Sequence, residues 1–225
     1  MIPRELLATA DVPGGGDPLR LIRRGAEFSI MLGANELMNS RLSGSEEALA
    51  TLAQARLAGV AKPRVLIGGL GMGFTLRAAL TAFGPQAAIS VAELVPEIVD
   101  WARGPMAHLH QGTLDSAQVQ VCVTDVGALI RKGPAQYDAI LLDVDNGPDG
   151  LSREGNDALY TLAGLAEARA ALRPGGVLAV WSSGPDPRFT SRLRKAGFDA
   201  SEETVRATKS GRGACHTVWI AVRRD

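Results

Sequence analysis

Apolar residues along this chain follow two rhythms, and the alternation between them predicts most of its elements. Short aliphatic or β-branched runs at 65–67, 88–92, 119–123, 137–144 and 176–182 have the length and composition of strands. Between them, the stretches 75–83, 96–102, 126–131 and about 156–172 carry apolar residues at helical spacing. Strands separated by helices argue for a parallel sheet covered on both faces. After a further helix over 188–195 come two more strand runs, 200–207 and 215–222, bracketing Lys209-Ser-Gly-Arg-Gly213. So short a connection permits only an antiparallel pair. The expected fold is therefore α/β and Rossmann-like, a mostly parallel seven-stranded sheet that ends in an antiparallel hairpin.

The first 44 residues read differently. Residues 11–18 are rich in glycine and proline and predict a loop, while 20–24 and 27–32, set apart by Gly25 and closed by Gly33, predict a short β-hairpin. A helix over 45–57 follows, with Ser43 or Ser45 as its cap, Glu46 and Glu47 near its positive end, and Gly59 and Pro63 after it. The chain thus divides into a loop-and-hairpin appendage, 1–44, and an α/β domain, 45–225.

The strand at 65–67 runs into the most informative stretch, Val65-Leu-Ile-Gly-Gly-Leu-Gly-Met-Gly-Phe74. Glycine lets a ligand approach bare backbone and tolerates positive φ. Glu93 ends the next strand 24 residues beyond Gly69, where an acid can accept hydrogen bonds from ribose hydroxyls. A dinucleotide fingerprint wants its third glycine one place later, where Phe74 stands, so Gly69, Gly71 and Gly73 suit a nucleoside sulfonium better than a pyrophosphate.

Ligands of open α/β sheets bind beyond the carboxyl ends of the strands, and four acids fall there: Glu93, Asp125, Asp143 and Asp145. Asp125 has two readings, acceptor from an adenine amine or cap of the helix that starts at Val126. Asp143 and Asp145 share one face of an extended chain, and like charges held close raise one pKa toward neutrality, as a base requires. The competing reading makes Asp145-Asn-Gly-Pro148 a turn. His108 and His110 lack a third ligand and predict no metal site, His216 lies in the last strand, and Trp181 and Tyr160 are candidates for a pocket wall or for core.

Charge and composition narrow the partners. Lys plus Arg and Asp plus Glu balance at 24 each with no basic run, which argues against nucleic acid. No apolar run approaches the roughly 20 residues of a membrane span. Without a signal-like N-terminus the expected compartment is the cytoplasm, where Cys122 and Cys215, both in predicted strands, read as buried and reduced.

The same motifs give the chain a resemblance to the spermidine synthase family, aminopropyltransferases built on the class I methyltransferase fold. Its Gly-Gly-Gly-Asp-Gly-Gly run matches Gly68-Gly-Leu-Gly-Met-Gly73, its acid after the second strand matches Glu93, and its Asp-Ala pair matches Asp125-Val126. Its Asp-Ser-x-Asp-Pro-x-Gly-Pro loop matches a shortened Asp143-Val-Asp-Asn-Gly-Pro148, and its Gly-x-x-Gln and Tyr-His-Glu elements lie over Gly33-Ala-Asn-Glu36 and Ser45-Glu46-Glu47. The resemblance implies S-adenosylmethionine or its decarboxylated form held by Gly69, Gly71, Gly73, Glu93, Asp125 and Val126, with no metal. It also implies a small amine acceptor of the polyamine class near Glu36, Glu46, Asp145 and Asn146, with Asp143 as general base, and a homodimer. Glutamate at 36, Ser-Glu at 45–46 and Gly71 in place of aspartate depart from the family on the acceptor side. Those departures carry the alternative, a non-catalytic nucleoside-binding or assembly protein.

Overall fold

A computed structural model describes residues 2–57, 59–144, 147, 148, 158–208 and 213–225. Four antiparallel strands come first, β1 (Glu5–Ala10), β2 (Leu19–Arg24), β3 (Glu27–Leu32) and β4 (Asn35–Asn39), in spatial order β1-β2-β3-β4. The predicted hairpin is β2–β3, whose alternation buries Leu19, Leu21, Phe28 and Ile30. It gains a strand on each side. Neither was expected, because Glu5-Leu-Leu-Ala-Thr-Ala10 has no period of two and β4 is only five residues long. Their pairing comes from the ladder they join, not from their own pattern.

Helix α1 (Gly44–Arg56) leads into the large sheet: β5 (Arg64–Gly68), α2 (Phe74–Phe83), β6 (Ala88–Glu93), α3 (Pro96–Arg103), α4 (Ala107–His110), β7 (Val119–Val123), α5 (Val126–Ile130) and β8 (Tyr137–Leu142). Next come α6 (Leu162–Ala171), β9 (Leu172–Ser182), α7 (Pro187–Lys195), β10 (Phe198–Arg206) and β11 (Cys215–Arg223). The seven strands are ordered β10-β11-β9-β8-β5-β6-β7, with β5 to β9 parallel and β10 and β11 antiparallel, as expected. Two differences are local. Residues 173–176, between the predicted helix and the strand run at 176–182, form a bulge inside β9, since Tyr137 pairs with Leu172 and Ala139 already with Val177. Of the cysteines, Cys215 is exposed at the start of β11 and Cys122 only half-buried, because β7 is an edge strand and β11 begins outside the core.

Alternate residues of the buried strands feed two cores. Val65, Ile67, Val91, Leu141 and Ala179 pack beneath α1 to α3 and the N-terminal sheet, whereas Leu66, Ile140, Leu142, Leu178 and Trp219 pack against α5, α6 and α7. The small sheet therefore closes over the same face of the large one that carries α1 and α2. Asp138 ties the far end: its buried carboxylate accepts Arg64 N at 2.7 Å and an Arg173 guanidinium N–H at 3.0 Å. Among the described residues no helix is long and apolar enough to cross a membrane.

Candidate active site

Strand order reverses between β5 and β8, and such a switch point opens a crevice at the carboxyl ends of the strands. Here that crevice is roofed by the N-terminal sheet. The resulting cleft holds about 420 Å³, within the usual range for a small-molecule site. Its floor is Gly69, Gly71, Glu93, Asp125, Val126 and Asp143; its roof includes Ile30, Leu32, Leu37 and Met38.

All three glycines of the turn have positive φ, and each is crowded by a different element. A Cβ on Gly69 would sit 2.4 Å from the Asp143 carbonyl oxygen, one on Gly71 2.7 Å from Met38 Sδ, and one on Gly73 2.4 Å from His110 Nδ1. Gly71 is thus bare because β4 lays Met38 across it. His108 and His110 gather no metal ligands. His110 is buried against the turn, and its desolvation, followed by the charges of Arg77 and His108, lowers its pKa to about 4 and leaves it neutral. Among the described residues no three His, Cys, Asp or Glu side chains could hold a metal ion.

Glu93 braces this turn. One carboxylate oxygen accepts Leu70 N and the other Val95 N, each at 2.9 Å, so the acid fixes the backbone on both sides of the cleft floor. Burial raises its pKa against the opposing pull of these backbone donors. Asp125 takes the capping role weighed for it, Oδ1 accepting Ala128 N at 3.0 Å, and also lines the cleft. Val126 packs against Gly68 from below.

Asp143 lies at the end of β8, enclosed by protein but reached from the cleft mouth. Its Oδ2 accepts the Thr75 hydroxyl at 2.5 Å, and the same hydroxyl lies 3.4 Å from the Glu46 carbonyl. Helix α1 brings Glu46, only 8% exposed, to the same cleft. Desolvation, then the Asp143 charge, raises the Glu46 pKa to about 7 against the pull of the Ser45 hydroxyl. Desolvation raises Asp143 to about 6, opposed by Thr75. Asp143 and Glu46 are therefore neighbouring carboxylates of the cleft, each pushed by burial toward neutrality.

The partner foreseen for Asp143 in its own loop, Asp145, lies outside the described residues, as does Asn146. Glu36 is not brought to the cleft: it is exposed, accepts from Ser29 Oγ at 2.5 Å and Asn39 Nδ2 at 3.2 Å, and faces Arg41 at 3.6 Å. Trp181 forms part of the wall, whereas the Tyr160 ring is buried beneath, with its hydroxyl donating to the Val144 carbonyl at 3.3 Å. Three lining or supporting residues escaped the sequence. Thr75 carried a signal, a hydroxyl two places past the glycine turn; Asp17 and Met38 reach the cleft only through packing of the small sheet.

Known proteins resemble this chain in sequence and fold. The sequence profile of the spermine/spermidine synthase domain matches residues 45–188. The chain is 36% identical over 124 residues to polyamine aminopropyltransferase 2 of Pseudomonas aeruginosa, a match covering 53% of this chain and 33% of that protein. It is 32% identical over 145 residues to the polyamine aminopropyltransferase of Mycobacterium tuberculosis, covering 60% of this chain and 26% of the other. The matches thus span a third or less of these relatives' own lengths. The crystal structure of spermidine synthase from Thermotoga maritima superposes with a TM-score of 0.75 at 17% identity, over 97% of this chain and 72% of that one.

Proposed function

The chain belongs to the spermine/spermidine synthase domain family, and from that premise we propose that it transfers an aminopropyl group from decarboxylated S-adenosylmethionine to a primary amine of the polyamine class. One observation carries the choice of ligands. The ionisable residues lining the cleft among those described are Asp17, Glu46, Glu93, Asp125 and Asp143, with no lysine, arginine or histidine among them. A wall of one sign favours cationic guests. Among the described residues it offers nothing to neutralise the carboxylate of intact S-adenosylmethionine, so both the decarboxylated donor and a polyamine fit it better.

The residues present suit such a donor. Gly69 and Gly71 expose backbone, Glu93 fixes the turn, and Asp125 stands at the next strand end to accept from the nucleoside. The sulfonium supplies a good leaving group and an electrophilic carbon beside it. Around it, the protein orients the amine in line with that carbon, and orientation is the larger part of the rate gain. The new C–N bond forms as the C–S bond breaks, methylthioadenosine leaves, and the amine proton passes to the Asp143 carboxylate.

A melting panel tests the reading. Saturation at 100 times Kd stabilises a fold by about 2.7 kcal/mol, a rise of roughly 5–10 °C for a domain of this size. Decarboxylated S-adenosylmethionine and methylthioadenosine should give that rise, intact S-adenosylmethionine a smaller one, and labelled donor should pass its aminopropyl group to a diamine or triamine. Equal shifts with intact donor and methyl transfer would overturn the choice of donor. Binding without turnover would make the chain a nucleoside-binding protein.

A further inference from the structure

Ser45 and His216 are 171 residues apart in sequence, yet Ser45 Oγ lies 2.8 Å from His216 Nδ1. The same hydroxyl donates to Glu46 Oε2 at 2.6 Å. Ser45 is fully buried, Glu46 opens onto the cleft, and His216 is half-buried beside exposed Cys215. A continuous line of exchangeable protons therefore leads from the cleft to the outer end of β11. Neither Ser45 nor Glu46 keeps the residue type of the resembling family at its position.

A serine hydroxyl has one proton, so it can donate to only one neighbour at a time. With Glu46 ionised, Ser45 donates to the carboxylate and accepts from His216 Nδ1–H. With Glu46 protonated, its O–H donates to Ser45 and Ser45 donates to a bare Nδ1. Passing from the second arrangement toward the first moves one proton from the carboxyl to Oγ and one from Oγ to Nδ1. The resulting imidazolium then loses its Nε2 proton to water, which leaves the neutral Nδ1–H ring of the first arrangement.

Few other charges compete. Around Glu46 stand Asp143 beyond β8 and Glu47 on its own helix, with Arg77 of α2 3.8 Å from Glu47. Around His216, β10 offers Val205 as the paired residue, and β9 offers Trp181, whose ring lies 4.9 Å away edge-on. Burial alone lowers the His216 pKa, so the ring is neutral and able to accept.

We propose that Glu46 is a second catalytic base beside Asp143, and that Ser45 and His216 are positioning residues that relay the proton of the acceptor amine from the cleft to solvent. This rests on the transfer reading above. An NMR titration of the wild-type protein, with carboxyl carbons of glutamate and ring nitrogens of histidine labelled, tests it without substrate. Glu46 and His216 should report one shared midpoint, and independent midpoints would overturn the relay. In turnover assays His216→Gln keeps a hydrogen bond to Ser45 but cannot pass a proton, so kcat should fall at least tenfold with the KM for donor unchanged. Ser45→Ala should lower kcat similarly and move the acid limb of the pH profile upward, since it removes a donor to ionised Glu46. A His216→Gln enzyme with wild-type kcat and pH profile would overturn the proposal. Absence of any transfer by the wild type would instead count against the proposed reaction, with the titration still deciding whether Glu46 and His216 are coupled.

Discussion

Replacing Glu46 by glutamine should stabilise this protein at pH 8 and not at pH 5. In the folded chain, desolvation and the Asp143 charge hold the Glu46 pKa at about 7, against 4.5 for a free glutamate. Between those values the folded state keeps a proton that the unfolded chain has released. Stability then falls as pH rises through the window, because the native state binds more protons than the unfolded one. At about 1.36 kcal/mol per pKa unit the ceiling is on the order of 3 kcal/mol. The cleft admits solvent and lets the carboxylate relax, so the expected gain at pH 8 is about 1–3 kcal/mol, or roughly 2–10 °C in Tm. Glutamine still accepts from Ser45, which keeps the comparison isosteric. Asp143→Asn should behave alike with its window lower, from 3.8 to about 6, and should retain the Thr75 bond. Urea or thermal melts of wild type and both variants at pH 5, 6, 7 and 8 measure the difference. If Glu46→Gln destabilises the protein equally at pH 5 and pH 8, the carboxylate is not held out of its ordinary range and the paired-acid account fails.

The glycine turn should rank by what each added methyl meets. Backbone strain at positive φ costs about 1–2 kcal/mol at every position. Gly69→Ala should exceed that by several kcal/mol because the Asp143 backbone cannot give way, whereas Gly71→Ala should exceed it little because the flexible end of Met38 can swing; equal Tm losses would contradict this. Asp138→Ala should cost about 1–3 kcal/mol in denaturant melts by taking the carboxylate acceptor from Arg64 N and from the half-exposed Arg173, which keeps its bond to the Ala135 carbonyl, and a loss under about 0.5 kcal/mol would show the site open to water. Of the three tryptophans only Trp181 lines the cleft, so methylthioadenosine should change the intrinsic fluorescence of wild type and not of Trp181→Phe.

The large sheet was legible in the sequence because both of its faces are buried, which makes each parallel strand a continuous apolar run bounded by glycine or a helix. The antiparallel ending showed in the spacing of the last two runs. The outer strands of the small sheet did not show, since edge strands half-exposed to water carry no strict alternation. At the site, Asp143 and Glu93 were legible from their places at strand ends. The pairing of Asp143 with Glu46 was not, because α1 meets β8 and β9 only in the packed fold, and no local pattern encodes that distance. Nor does the motif that makes Gly71 recognisable reveal that Met38 occupies the space above it.

Helix α1 begins with Gly44 N donating to the Ala207 carbonyl at 2.9 Å, in the segment that joins the last two strands, and one residue later Ser45 meets β11. The acid that α1 delivers to the cleft is therefore held by the most distant part of the chain. A ribosome reaches β11 only after the glycine turn, Glu93 and Asp143 have all emerged, so the contact that anchors the start of α1 can form only once the last strand is out.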